Sequence, residues 1–210
     1  MTVSLAACPG LDVPRETFER LEQFAILLVE GNATQNLVSK STLPNLWRRH
    51  IADAAQLLGF APGRGSWLDI GSGAGLPGIV IAILTGAPMV LVEPRRLRAD
   101  FLKRTVDTLH LDPNVEIVQA KVELVRRPSV DFITARAVAS IDRLFAIAAH
   151  LSHEGTIWVL PKGRTAKSEL DEARRTWQGE FRLEPSRTDP DALILIASRV
   201  RRRSGARGVA

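Results

Sequence analysis

The sequence predicts an α/β protein: a doubly wound, mostly parallel seven-stranded sheet that ends in an antiparallel hairpin, preceded by a helical cap. Three observations lead there. First, Trp67-Leu68-Asp69-Ile70 is a short apolar run that enters the turn Gly71-Ser72-Gly73-Ala74-Gly75-Leu76-Pro77-Gly78 and then the apolar stretch 79–84. Strand, glycine turn and helix in that order open a nucleotide-binding βαβ unit. Second, strand-like and helix-like segments alternate from there to about residue 160, the pattern of a parallel sheet covered on both faces. Third, only Asp189-Pro190-Asp191 joins the last two strand-like segments. That link is too short for a crossover helix and requires a hairpin.

Residues 1–13 read as a flexible lead and 14–62 as the helical cap. Phe18, Leu21, Phe24, Ala25, Leu28 and Val29 recur at helical spacing until Gly31-Asn32 ends the run. Ser41-Thr42 can cap a second helix with Pro44 in its first turn. The apolar face of that helix is Leu43, Leu46, Trp47, Ile51, Ala54, Leu57 and Leu58. Residues 63–200 form the nucleotide-binding domain, with strands at 66–70, 89–93, 115–120, 130–134, 156–160, 181–187 and 192–200. Helices fall at 76–84, 95–110, 140–151 and 165–177. The second of these turns Leu97, Phe101, Leu102, Val106 and Leu109 inward. Residues 201–210 read as a basic flexible tail.

At 210 residues, 45% hydrophobic and 24% charged, the chain has the composition of an ordinary globular protein with one sizeable core. The run 79–84 is too short to span a bilayer, the start lacks the basic and apolar regions of a signal peptide, and Cys8 is the single cysteine. A cytoplasmic protein without membrane contact is expected, and a monomer. The net charge is +5, and the segment 199–210 holds five arginines and no acid. Removing those five from the 28 basic residues leaves 23, which equals the number of acids. The excess therefore sits on the tail, either as an arm for phosphate or as a solvated end.

Ligands of such sheets bind at the carboxyl ends of the strands. Those ends carry Asp69 with Gly71, Gly73 and Gly75, then Glu93, Val122-Glu123, Arg136 and Lys162. The glycine turn admits two readings. Gly73-x-Gly75-x-x-Gly78 fits a dinucleotide fingerprint, while Asp69-x-Gly71-x-Gly73-x-Gly75 is the S-adenosylmethionine form, with a carboxylate at the strand end. The terminal hairpin favours the second, since it is typical of class I S-adenosylmethionine-dependent methyltransferases, with their Rossmann-like sheet. Glu93 can accept both ribose hydroxyls of either cofactor. Glu123 or its backbone meets the adenine edge or is merely structural. Arg136 can clamp an anionic group, stack on a base and so position the substrate, or form a plain salt bridge.

Absences narrow the reaction. No Asn/Asp-Pro-Pro-aromatic turn for a base amine occurs at 135–139, and Cys8 lies too early to serve as the nucleophile of a pyrimidine-carbon reaction. His50, His110, His150 and His153 make no metal cluster, so no metal is expected. A nucleophile that loses no proton remains, and guanine N7 is the most accessible one. There the enzyme has only to align lone pair, methyl and sulfur.

The residues also carry a resemblance. Asn36-Leu37, Trp47-x-Arg49-His50-x-x-Asp53, the turn 71–78, Arg98-x-x-Phe101-Leu102, Arg136-Ala137-Val138-Ala139-Ser140 and Lys162-Gly163 fall in the order seen in bacterial small-subunit (16S) ribosomal RNA guanine-N7 methyltransferases, also called glucose-inhibited division protein B. The chain resembles that family from about residue 36 to 162. The resemblance implies S-adenosylmethionine contacts at Gly71, Leu76, Val122, Glu123 and Arg136, and ribosomal RNA or the small subunit as partner. Ala54, Leu76, Val122 and Glu93-Pro94 depart from the usual Ser, Phe, Ala and Asp-Ser. Arg49, His50, Asp53 and Lys162 are expected at the substrate mouth, although Asp53 could instead serve only to orient His50. A NAD-linked oxidoreductase and a non-catalytic RNA-binding assembly factor are the competing functions.

Overall fold

The computed structural model describes residues 2–4 and 12–204. Two short strands, β1 (Thr2–Ser4) and β2 (Asp12–Pro14), pair antiparallel ahead of helix α1 (Arg15–Thr34). This corrects the expectation of a flexible lead at both segments; residues 1 and 5–11 lie outside the described residues. The helix α1 also runs past its expected stop. Gly31 lies so close to the Phe101 ring that a Cβ would meet it at 2.6 Å. Asn32 is buried, and its Oδ1 accepts the N–H groups of Leu37 and Val38, both at 2.9 Å. The pair that reads as a terminator serves a close helix approach and fixes the following turn.

The second cap helix is not regular. It begins as 3₁₀ turns over Lys40–Asn45, widens to a π-helical turn over Trp47–Ala52, passes through α2 (Asp53–Ala55) and tightens again over Gln56–Phe60. Trp47 stacks on Phe18 with ring centroids 5.5 Å apart, while Ile51, Ala54 and Leu57 are buried.

The body follows as β3 (Trp67–Ile70), α3 (Gly78–Thr85), β4 (Met89–Val92), α4 (Arg96–Thr108), β5 (Val115–Val118) and β6 (Val130–Ala135). Then come α5 (Ile141–Ala148), β7 (Ser152–Lys162), α6 (Ala166–Thr176), β8 (Trp177–Pro185) and β9 (Leu193–Arg202). The strands lie in the order β5-β4-β3-β6-β7-β9-β8. Pairs from β5 to β7 are parallel, and β9 is antiparallel to both β7 and β8, as the short link requires. The fold is that of the expected doubly wound sheet. Boundaries shift, notably near the end of the chain: β7 and β8 each begin four residues early, and β9 absorbs Arg201 and Arg202 from the expected tail. Residues 205–210 of that tail lie outside the described residues.

Side chains alternate between two cores. Trp67, Leu91 and Phe132 face the cap and α3, whereas Leu68, Ile70, Val90, Ile133 and Trp158 face α5. Because the cap covers its outer side, α3 is apolar all round and buries Ile79, Val80, Ile81, Ala82 and Ile83. Burial of each large side chain contributes about 1.5–3 kcal/mol. Leu97, expected inward on α4, is 64% exposed. Among the described residues no helix is long and apolar enough to cross a membrane.

The strand order reverses between β3 and β6, where Ile70 and Ala135 are register partners. The connections that leave these two ends, the glycine turn and the segment beginning at Arg136, face each other across the crevice where such sheets bind ligands.

Candidate active site

Four glycines and one acid shape the turn after β3. Gly71, Gly73 and Gly75 have φ of +66°, +53° and +80°, a region that glycine enters at no steric cost. A Cβ on Gly71 would also stand 2.7 Å from Val138, so the two connections touch here. Gly78 begins α3, and a Cβ there would run into the Leu91 side chain. Asp69 does not reach the crevice. It is fully buried on the α3 side of the sheet, where its Oδ2 accepts the Gly78 N–H at 3.2 Å. Burial pushes its carboxyl up to about 7, against the opposing pull of the Gly78 N–H and the Arg136 charge. Its Oδ1 and the hydroxyl of Thr134, its register partner on β6, have no hydrogen-bond partner. The N–H at the start of α3, which a dinucleotide turn offers to pyrophosphate, is thus already taken by a carboxylate of the chain itself.

A first cleft of about 500 Å³ opens above the turn. Of the residues expected to hold a cofactor, Gly71, Gly73, Leu76, Glu93, Val122, Glu123 and Arg136 line it. Asp69 and Gly75 do not; they set the backbone behind it. Glu93 is 2% exposed, and its carboxylate takes the Gly73 N–H on Oε2 at 2.9 Å and the Arg95 N–H on Oε1 at 2.8 Å. Each oxygen keeps a lone pair for a further donor. Glu123 accepts from Arg143 Nη2 at 3.2 Å.

A second cleft of about 520 Å³ lies between the cap and the terminal hairpin, and Arg49, His50, Asp53 and Lys162 all line it. Arg136, Ala137 and Val138 line both clefts. The Arg136 Nη1 reaches His50 Nδ1 at 3.3 Å and stands 3.6 Å from Asp53 Oδ2. A guanidinium only donates, so His50 Nδ1 accepts and the ring proton resides on Nε2. That proton goes to Thr42 Oγ1 at 2.8 Å, and the Thr42 hydroxyl donates to the Ser39 carbonyl at 2.6 Å. Burial, then the charges of Arg136 and Arg49, lower His50 to about 4, so the ring is neutral near pH 7. Burial also lowers the Arg136 guanidinium, while Asp53 and Asp69 pull it back up. The spacing His50-x-x-Asp53 therefore does bring both side chains to one guanidinium.

The other two mouth residues are already engaged. Arg49 Nη1 donates to Asp189 Oδ2 at 2.7 Å. Lys162 Nζ donates to the Ala139 carbonyl at 2.6 Å and to Glu169 Oε2 at 2.9 Å. It pins the segment after β6 and has a mostly buried side chain. Sequence reasoning missed Thr42, Gln56, Ser186, Thr188 and Asp189. Gln56 Nε2 donates to Asp53 Oδ1 at 2.9 Å and to Thr188 Oγ1 at 3.0 Å, across more than 130 positions of chain. No local pattern signals such a contact.

Solved structures share this architecture at low sequence identity. An O-methyltransferase from Bacillus cereus in complex with SAH matches with a TM-score of 0.58 at 16% identity, over 84% of this chain and 90% of that one. The glycopeptide N-methyltransferase MtfA complexed with (S)-adenosyl-L-homocysteine matches with a TM-score of 0.60 at 10% identity, over 71% of this chain and 89% of that one. These likenesses show the fold. Sequence similarity is much closer to proteins named "Ribosomal RNA small subunit methyltransferase G". The protein of that name from Sphingopyxis alaskensis is 48% identical over 185 residues, 87% of this chain and 79% of the relative. The one from Rhizorhabdus wittichii is 44% identical over 195 residues, 91% and 89% of the two chains. The family described as "GidB: rRNA small subunit methyltransferase G" matches residues 17–185, a span that holds most of the cap, the whole first cleft and the Arg136 partners His50 and Asp53, and the chain belongs to that family.

Proposed function

We propose that this protein transfers a methyl group from S-adenosylmethionine to N7 of a guanine in small-subunit ribosomal RNA. The observation that carries this reading is the position of Arg136, which lines both clefts and so stands where a cofactor in one would face a base in the other. When bound, S-adenosylmethionine supplies an electrophilic methyl group on a sulfonium. The first cleft fits that molecule. The buried Glu93 carboxylate has lone pairs for a ribose diol, Gly71 leaves room that a side chain would fill, and Asp69 occupies the helix start that a pyrophosphate would need.

Guanine N7 presents a lone pair and no proton, so the chain has to supply alignment rather than a base. The residues agree with this. Both nitrogens of His50, the imidazole of the second cleft, are engaged by Arg136 and Thr42. Arg95, Arg96, Lys121 and Arg126 are exposed on the connections that follow β4 and β5, where they offer phosphate contacts along the same edge. Arg201 and Arg202 lie at the opposite end, because β9 runs against β7.

The test is to map N7 methylation of ribosomal RNA in cells with and without the gene. Loss of one N7-methylguanine, restored by the wild-type gene, is expected. An unchanged pattern would leave the protein only a binding role.

A further inference from the structure

We infer that Thr188, on the connection between β8 and β9, is a positioning residue for methyl transfer that acts on Arg136 through Asp53; the inference rests on the function proposed above. The terminal hairpin forms one edge of the sheet. Its connection, however, folds back onto the cap as part of a buried polar network. Thr188 is 7% exposed and Gln56 is 8% exposed. The Thr188 hydroxyl donates to Asp53 Oδ1 at 2.6 Å and accepts from Gln56 Nε2 at 3.0 Å. Gln56 Oε1 in turn accepts the Arg187 N–H at 2.8 Å, so the connection is held by backbone as well as side chain.

This network determines how Asp53 meets Arg136. Two donors, Thr188 and Gln56, occupy Oδ1 and fix the plane of the carboxylate. Only Oδ2 is left for Arg136, and at 3.6 Å it is beyond hydrogen-bond reach. Arginine and carboxylate ordinarily close into a bidentate pair with two parallel hydrogen bonds. Here the carboxylate is held back from that geometry, and the guanidinium stays poised between the clefts with its Nη1 against His50 Nδ1. Without the Thr188 donor, Oδ1 keeps only the Gln56 bond, so the carboxylate can turn toward Arg136, and the closed pair would draw the guanidinium off His50 and away from both the cofactor and the base.

Thr188→Val keeps the shape of the side chain and removes the donor, whereas Thr188→Ser keeps the donor. In single-turnover methylation of small-subunit RNA, Thr188→Val is expected to lower kcat by about tenfold or more, with KM for RNA little changed. Thr188→Ser is expected to recover most of that rate. In Asp53→Ala the valine substitution should cost nothing further, because the route through the carboxylate is gone. In the protein without cofactor, the ¹⁵N resonance of His50 Nδ1 should shift in Thr188→Val and return in Thr188→Ser. If the valine variant does not fold, Thr188→Ala takes its place in every comparison. Wild-type kcat in the valine variant, a serine variant as impaired as the valine one, or an undiminished valine effect in the Asp53→Ala background would each overturn the inference. Failure of the underlying reading looks different: wild-type protein would then form no N7-methylguanine, whatever His50 reports.

Discussion

Glu93 and Arg136 divide the labour of the site. The Glu93 carboxylate fastens the glycine turn through the Gly73 and Arg95 N–H groups while lining the first cleft, so its loss should be felt in cofactor affinity. By calorimetry, Glu93→Ala is expected to weaken S-adenosylmethionine binding by roughly ten- to a hundredfold, the scale of about 1.5–3 kcal/mol for a hydrogen bond to a charged group. Arg136→Ala should reduce turnover at least as much as affinity, and Arg136→Lys should not restore it, because an ammonium lacks the planar fork. Wild-type turnover in either Arg136 variant would make that residue structural. The types and order of these residues were readable from strand ends alone. The orientation of Asp69 was not: an acid at the end of a strand looks the same in sequence whether it faces a ligand or, as here, the N–H of the next helix.

Among the elements, the glycine turn and the segment after β6 are in contact through Gly71 and Val138, and this contact brings the first and second clefts together. Gly71→Ala puts a Cβ 2.7 Å from Val138 Cγ2 at a φ of +66°. It should destabilise the protein by about 1–3 kcal/mol in urea unfolding and weaken cofactor binding, whereas the open Gly163 tolerates alanine. Equal effects at both positions would remove the special role of the turn. The glycine spacing and the short link at residues 189–191 made β3, α3 and the hairpin legible, since both are local constraints on backbone. The changes of pitch between Lys40 and Phe60 were not. The early start of β7 was hidden because its first residues are exposed and polar and read as loop until their partners are known.

For the molecule as a whole, two buried titratable groups give its stability opposite pH slopes. His50 is held near 4, below its ordinary 6.5, so its contribution is complete above about 6.5 and is lost as pH falls toward 4. Asp69 is pushed to about 7 from 3.8, so its contribution is complete below about 3.8 and is lost as pH rises through 7. Over this shared window the two largely cancel. Asp69→Asn should leave stability rising between pH 4 and 6.5, and His50→Gln should leave it falling between pH 4 and 7, in urea unfolding at a series of pH values. Slopes of the same sign would mean that one of the two is not buried as described. Neither group could be assigned a slope from sequence, because each shift comes first from burial by the assembled fold. The parallel alternation did place Asp69 at a strand end, whereas His50 lies on the cap.

Arg136 stands between the two clefts, where we propose that it aligns a cofactor methyl group with guanine N7. The most direct test is to incubate small-subunit ribosomal RNA with methyl-labelled S-adenosylmethionine and either wild-type protein or Arg136→Ala, then identify the labelled nucleoside by mass. Wild type should give a single labelled N7-methylguanosine and the variant a severe loss of it; label on any other atom, or undiminished label with Arg136→Ala, would show that Arg136 does not align the methyl group with N7.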